Sequence, residues 1–147
     1  MKADEVLEEL GIDHEVVVQD SPTLDCDDAA RERGVETSQI VKSLVIEADG
    51  ELYHACIPGD RTLSESKLGE EYRLVSPEKS REITGQESGT VHPLASEIEH
   101  LVDERLTENK KVSFTTGDRD RGVIIDPDNL IKAFEKQDTP YRIADLV

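Results

Sequence analysis

Apolar and β-branched residues crowd two segments of the chain, Ile40 to Ala48 (IVKSLVIEA) and Glu51 to Pro58 (ELYHACIP), which only Asp49-Gly50 separates. Apolar runs of that length joined by an Asp-Gly pair predict a β-hairpin, covered on both faces at the centre of a sheet. Lys111 to Thr116 and Val123 to Ile125 predict a second pair of strands across the charged turn GDRDRG. Shorter strands are expected at His14 to Val18, Tyr72 to Val75, Leu101 to Val102 and near Tyr141 to Ile143, with Asp103 to Leu106 turning away from the third. Helical spacing occurs over residues 3 to 10 and from about Asp28 to Arg33, the latter capped by Asp25 or Asp27 and stopped by Gly34. A capping box at Thr62-Leu63-Ser64-Glu65 predicts a helix ending near Gly69. Two more helices follow Ser76-Pro77 and Asp126-Pro127, the last (DNLIKAFEK) with Leu130, Ile131 and Phe134 on its apolar side. The pattern predicts an α/β fold of the α+β type, a mixed and largely antiparallel sheet with helices packed around it. With 147 residues and no break in composition, a single domain over residues 1 to 147 is expected.

Two places interrupt this pattern. Strand alternation puts Lys42 on the same side as Ile40, Leu44 and Ile46. A buried ammonium is costly unless it meets an anion or reaches a cleft, whereas a lysine at a strand end can also snorkel to water. The second place is Ile83 to Ala95 (ITGQESGTVHPLA), a stretch with two glycines, a histidine and a proline between regular elements. Gly85 falls where a helix-terminating glycine belongs, but Gly89 ends no helix, so it marks either an ordinary connection or a backbone brought close to a ligand with free amides.

Charge adds less than its size suggests. The 34 acidic residues against 17 basic ones give a formal charge of −17. A high-salt cytoplasm is the expected cause of that balance, because the Debye length shrinks to about 3 Å near 1 M salt and net charge then costs the fold little. The two cysteines, Cys26 in an Asp-rich loop and Cys56 in an apolar strand, fit a reduced cytoplasmic protein. No metal-ligand spacing appears around them or among His14, His54, His92 and His100, so no metal and no cofactor is expected. Neither a signal sequence nor a run of about 18 apolar residues is present, which disfavours secretion and a membrane role. The absence of GxGxxG and GxxxxGK[ST] argues against a general nucleotide-binding protein.

IVKSLVI, the strand ending Ile57-Pro58, LSESKLGEEYRLVSPEKSREITG, the loop Gly89-Thr90-Val91-His92-Pro93-Leu94 and FTTGDRDRGVIIDPDNL together resemble the YbaK/ProX family of aminoacyl-tRNA deacylases. These are relatives of the editing domain of bacterial prolyl-tRNA synthetases, and the resemblance runs over roughly residues 14 to 137. It implies hydrolysis of the ester joining a wrong amino acid to the 3′-terminal adenosine of tRNA. By position it makes Lys42 the required lysine, Gly89 and Pro93 the ends of the glycine-x-x-x-proline loop, and Thr116-Gly117 the hydroxyl-glycine pair near the pocket. Thr90, His92 and Ala95 depart from the family's small residues, and the acid that some cysteine-specific members carry would fall near Ile124, which speaks against a Cys-tRNA substrate.

An aminoacyl ester is already activated, so the enzyme need only place a water and hold the developing oxyanion. Lys42 and Gly89 are the catalytic candidates, Lys42 orienting the phosphate or ester and loop amides holding the carbonyl. The substrate-binding candidates are Ser43, Thr90, Val91, His92, Pro93, Thr116 and Gly117, with Thr23 and Leu24 as walls of a pocket that selects by size. His92 offers itself as a general base, although the family assigns no base there. Arg119 and Arg121, with Lys110 and Lys111, either touch the acceptor stem or form a solvated turn. The expected partners are the 3′ end of an aminoacyl-tRNA and, beyond it, a tRNA synthetase. The rival reading is a non-catalytic module that binds an amino acid or the tRNA end.

Overall fold

The computed structural model describes residues 1–69 and 71–147. The chain order is α1 (Ala3–Leu10), β1 (Glu15–Val18), α2 (Cys26–Arg33), a 3-10 turn (Thr37–Gln39), β2 (Val41–Ala48), β3 (Glu51–Pro58), α3 (Glu65–Leu68), β4 (Arg73–Leu74), α4 (Pro77–Thr84), β5 (His100–Asp103), α5 (Glu104–Thr107), β6 (Val112–Thr115), β7 (Arg121–Ile125), α6 (Pro127–Lys136) and β8 (Tyr141–Ala144).

Two sheets form where the pattern predicted one. The larger runs β4-β2-β3-β5-β8 and the smaller β1-β7-β6. The expected hairpin pairs β2 with β3 antiparallel across Asp49-Gly50, from Val41 opposite Pro58 to Ala48 opposite Glu51. It occupies the middle of the larger sheet, whose β3-β5 and β5-β8 pairs are parallel. The only bridge between the sheets among the described residues joins Ile40 to Ser113. Periodicity reveals strands but not how they group, so this division left no mark in the pattern.

The hairpin is covered on both faces, as its two-sided apolar sequence requires. On one face, Val41 and Cys56 join Leu7 of α1, Phe134 of α6, and Phe114 and Val123 of the smaller sheet. On the other, Ile46, Ala55 and Ile57 pack with Leu101 and Leu146. A third cluster of Ala29, Ala30 and Ile40 seats α2 beside the start of β2. Asp25 caps α2 by accepting the Asp28 amide at 2.8 Å, and Gly34 ends it in the left-handed region. The expected capping box at Thr62 does not form: α3 starts after Ser64, whose hydroxyl bonds that of Ser66 at 2.9 Å and leaves the helix end uncapped. β5 extends the short strand expected at Leu101. Its buried Asp103 caps α5 and accepts the Leu146 amide at 2.8 Å, anchoring the final segment.

One glycine is dictated by a neighbour. A Cβ on Gly122 of β7 would lie 2.0 Å from Nε of Arg33, so the guanidinium occupies the space that a side chain would need. Gly122→Ala is therefore expected to displace Arg33 and destabilise the fold by about 1–3 kcal/mol, read as a lowered urea midpoint at unchanged slope. A midpoint equal to wild type would show that the guanidinium gives way freely.

Candidate active site

Strand β2 is partnered along its whole length on one side only. Val75 N–H donates to Val45 C=O at 3.1 Å, and β4 pairs with Ile46 and Glu47. Antiparallel alternation then directs the backbone groups of Val41, Ser43 and Val45 away from β3. Between the β4 contact and the Ile40–Ser113 bridge, the described residues offer the Ser43 backbone no strand partner. This open edge borders a cleft of about 800 Å³, within the range of small-ligand sites.

The cleft wraps around the edge, so residues from both faces of β2 reach it. Lys42, Ser43, Gly59, Thr23, Leu24, Cys26, Arg33, Ser88, Gly89, Val91 and Thr115 all contribute to its lining, and Leu74, Val75, Pro77 and Ser80 close the far side. Lys42 is half-buried and donates to the Arg61 carbonyl at 2.7 Å, without a carboxylate partner among the described residues. The Ser43 hydroxyl is buried opposite the Cys56 thiol, so Ser43 offers the cleft its backbone and not its hydroxyl.

Gly89 adopts φ +87°, in the left-handed region where a side chain is strained. The Thr90 amide and hydroxyl both donate to Glu87 C=O, at 2.9 and 2.8 Å. Thr90 is thereby spent on holding the turn, which leaves the Gly89 and Val91 amides without partners among the described residues. Arg119 fastens this loop to the opposite wall. Its Nη2 donates to Ser88 C=O at 3.2 Å and its Nη1 to Thr23 C=O at 3.4 Å, while its own carbonyl accepts the Thr23 amide at 2.8 Å. Arg121 pairs with Asp4 at 3.3 Å, so both arginines of the charged turn are engaged within the fold.

Five of the residues singled out from the sequence stand outside this lining. Thr90 forms the turn just described. Pro93 contributes its carbonyl to His100 Nε2 at 2.7 Å. Thr116 is buried and uses its hydroxyl to accept the Asp118 amide at 3.2 Å, and Gly117, at φ +112°, turns the chain between β6 and β7. Thr115 is the hydroxyl residue of this segment that reaches the cleft. His92 is fully buried: its Nδ1 accepts the Leu94 amide at 3.2 Å, so the proton sits on Nε2, which donates to Met1 C=O at 3.1 Å. Burial drives its pKa down to about 4, which makes it a neutral strut of the loop.

Pattern reading missed Cys26 and Arg33. Cys26, Ala29 and Arg33 recur at i, i+3 and i+7 along the polar α2, and all three line the cleft. That spacing was the available signal. Burial pushes the Cys26 thiol up, Lys42 and Arg33 pull it down, and Asp25 and Asp27 push it further up.

With this geometry in place, comparison with known proteins supplies the class. The model of the aminoacyl-tRNA editing domain matches residues 20–133, and the chain belongs to that family. It is 33% identical over 118 residues to the proline–tRNA ligase of Geobacter metallireducens, a match over 77% of this chain and 20% of that protein. The ligase of Maridesulfovibrio salexigens is 38% identical over 82 residues, 51% of this chain and 14% of its own. The chain thus spans about a fifth or less of these relatives. Among solved structures, a candidate trans-editing enzyme for prolyl tRNA synthetase superposes with TM-score 0.82 at 28% identity, over 97% of this chain and 92% of its own. A hypothetical protein gives TM-score 0.83 at 29% identity over 99% of both.

The His92 environment carries a consequence for acid stability. Its pKa is lower folded than unfolded (about 4 against 6.5), so between these values the unfolded chain binds more protons. Stability present above pH 6.5 is therefore lost as pH falls toward 4, by up to about 3 kcal/mol from this residue. His92→Asn, which keeps a donor and an acceptor, should flatten the stability–pH curve measured by urea unfolding between pH 7 and 4.5; an unchanged slope would contradict the strut.

Proposed function

We propose that the cleft hydrolyses the ester between a mischarged amino acid and the 3′-terminal adenosine of tRNA, as a trans-editing deacylase. The observation that carries this is the convergence, at one cleft, of a lysine, a left-handed glycine flanked by amides and a strand edge that all lack charged or strand partners among the described residues. Lys42 stands held by the Arg61 carbonyl with protons left to donate, suited to the terminal phosphate or the ester oxygen. The amides of Gly89 and Val91 hold the carbonyl oxygen as negative charge develops. A water attacks the ester carbon, the bond to the ribose oxygen breaks, and amino acid and free tRNA 3′ end leave. With His92 buried and neutral, a hydroxyl of the terminal ribose serves as proton relay for that water.

The Ser43 amide and carbonyl add a strand-like pair of contacts for the aminoacyl backbone, and exposed Leu24 and Leu74 flank the mouth. The relationship to part of a prolyl-tRNA ligase supports action on a product of such a synthetase. A molecule with formal charge −17 gains little from a broad grip on the duplex, so recognition centres on the acylated end.

The test is deacylation of tRNAs carrying Ala, Cys, Ser or Pro, in molar KCl, with wild type, Lys42→Ala and Gly89→Ala. Wild type should release at least one amino acid, and each variant should lose about 10²–10³ in rate while still folded. Survival of every charged tRNA in the presence of folded wild type would make the cleft a binding site without turnover.

A further inference from the structure

The cleft contains a second cation that the deacylation chemistry above does not use. Arg33 is 7% exposed, yet no carboxylate pairs with it among the described residues, in a chain with twice as many acids as bases. Its guanidinium is clamped. Nε donates to Gln19 Oε1 at 2.8 Å, Nη1 donates to Ser113 Oγ at 3.2 Å, and the bare Cα of Gly122 makes room for it. Burial lowers its pKa only to about 10, so it stays charged at neutral pH. Nη2 has no protein partner among the described residues, and Arg33 is one of the residues that line the cleft.

Position along α2 separates this cation from Lys42. The Cys26 thiol, at the start of the helix, feels Lys42 more strongly than Arg33, which lies seven residues or about 10 Å further along. Buried Ala29, Ile40 and Val41 add an apolar wall to the same cleft. If Lys42 marks the nucleotide end, Arg33 marks the inner end, where the amino-acid side chain arrives. A strut between α2 and the smaller sheet needs no charge, and a buried guanidinium with a spare donor loses its water when an apolar group fills the space beside it.

We propose that Arg33 makes this editing pocket selective for polarity, favouring an amino acid whose short side chain ends in a hydrogen-bond acceptor over an apolar one of equal size. This rests on the cleft receiving the aminoacyl end, and it replaces selection by size alone. A site built to hydrogen-bond its substrate rejects an isostere lacking the group far more strongly than a cavity rejects a methylene.

The test measures binding, independent of turnover, with amide-linked 3′-aminoacyl-adenosine analogues that cannot be hydrolysed. Seryl and α-aminobutyryl side chains are compared, the second replacing the hydroxyl by a methyl group, by calorimetry in molar KCl. Wild type should bind the seryl analogue about tenfold or more tightly. Arg33→Leu should bring the ratio close to one, and Arg33→Lys should retain part of it. Equal affinity, or preference for the α-aminobutyryl analogue, overturns the polarity selection while leaving editing intact. Binding of neither analogue overturns both. A wild-type ratio that persists in folded Arg33→Leu overturns the role of Arg33, and Arg33→Lys, which keeps the charge and much of the volume, decides the point if Arg33→Leu does not fold.

Discussion

A β-strand inside a protein must have its backbone groups satisfied, and β2 meets that demand along one side only. Its partner β3 runs its full length, whereas on the other side β4 reaches only Ile46 and Glu47, and the smaller sheet touches at Ile40. The gap leaves the Ser43 backbone facing a cleft and not a neighbour. An unpaired edge invites an added strand or a ligand with peptide-like groups, and here it borders a cleft of about 800 Å³. Helix α2, the Gly89 loop and the β4–α4 segment are arranged around that gap, and Arg119 holds two of these walls together.

Electrostatics reinforces the arrangement. The surface is strongly acidic, yet the two cations that line the cleft, Lys42 and Arg33, have no carboxylate partners among the described residues. Asp25 and Asp27, also at the cleft, are occupied in capping α2 and in accepting the Thr37 hydroxyl. The positive groups therefore remain available at short range, where salt screens least, while the distant negative field is screened. A short-range reader of an anionic end suits such a protein better than a long-range electrostatic funnel.

How much of this the sequence disclosed depends on what each residue's role required. The β2–β3 hairpin was legible because a buried strand must be apolar on both faces and Asp49-Gly50 permits little except a tight turn. Lys42 was legible as an exception to that apolarity, and Gly89 as a glycine with no helix to end. The division into two sheets was not legible, because strand grouping depends on long-range pairing that period-two patterns do not encode. His92 looked available because a loop position suggests exposure; the fold instead buries it against Met1 and Leu94. Arg33 was hidden for the opposite reason. It sits on a helix whose sequence, CDDAARER, reads as solvated, and only the tertiary contact with Gln19, Ser113 and Gly122 reveals a buried charge.

Deacylation at this cleft, as proposed above, requires the open edge of β2 to receive the acylated adenosine. Amide chemical shifts of ¹⁵N-labelled protein, followed during titration with a non-hydrolysable 3′-aminoacyl-adenosine analogue in molar KCl, test this most directly. The largest shifts should fall on Ser43, Gly89 and Val91, with the Ser43 amide moving as it gains a partner. Shifts clustered away from the cleft, with those three amides unmoved, would contradict the central claim.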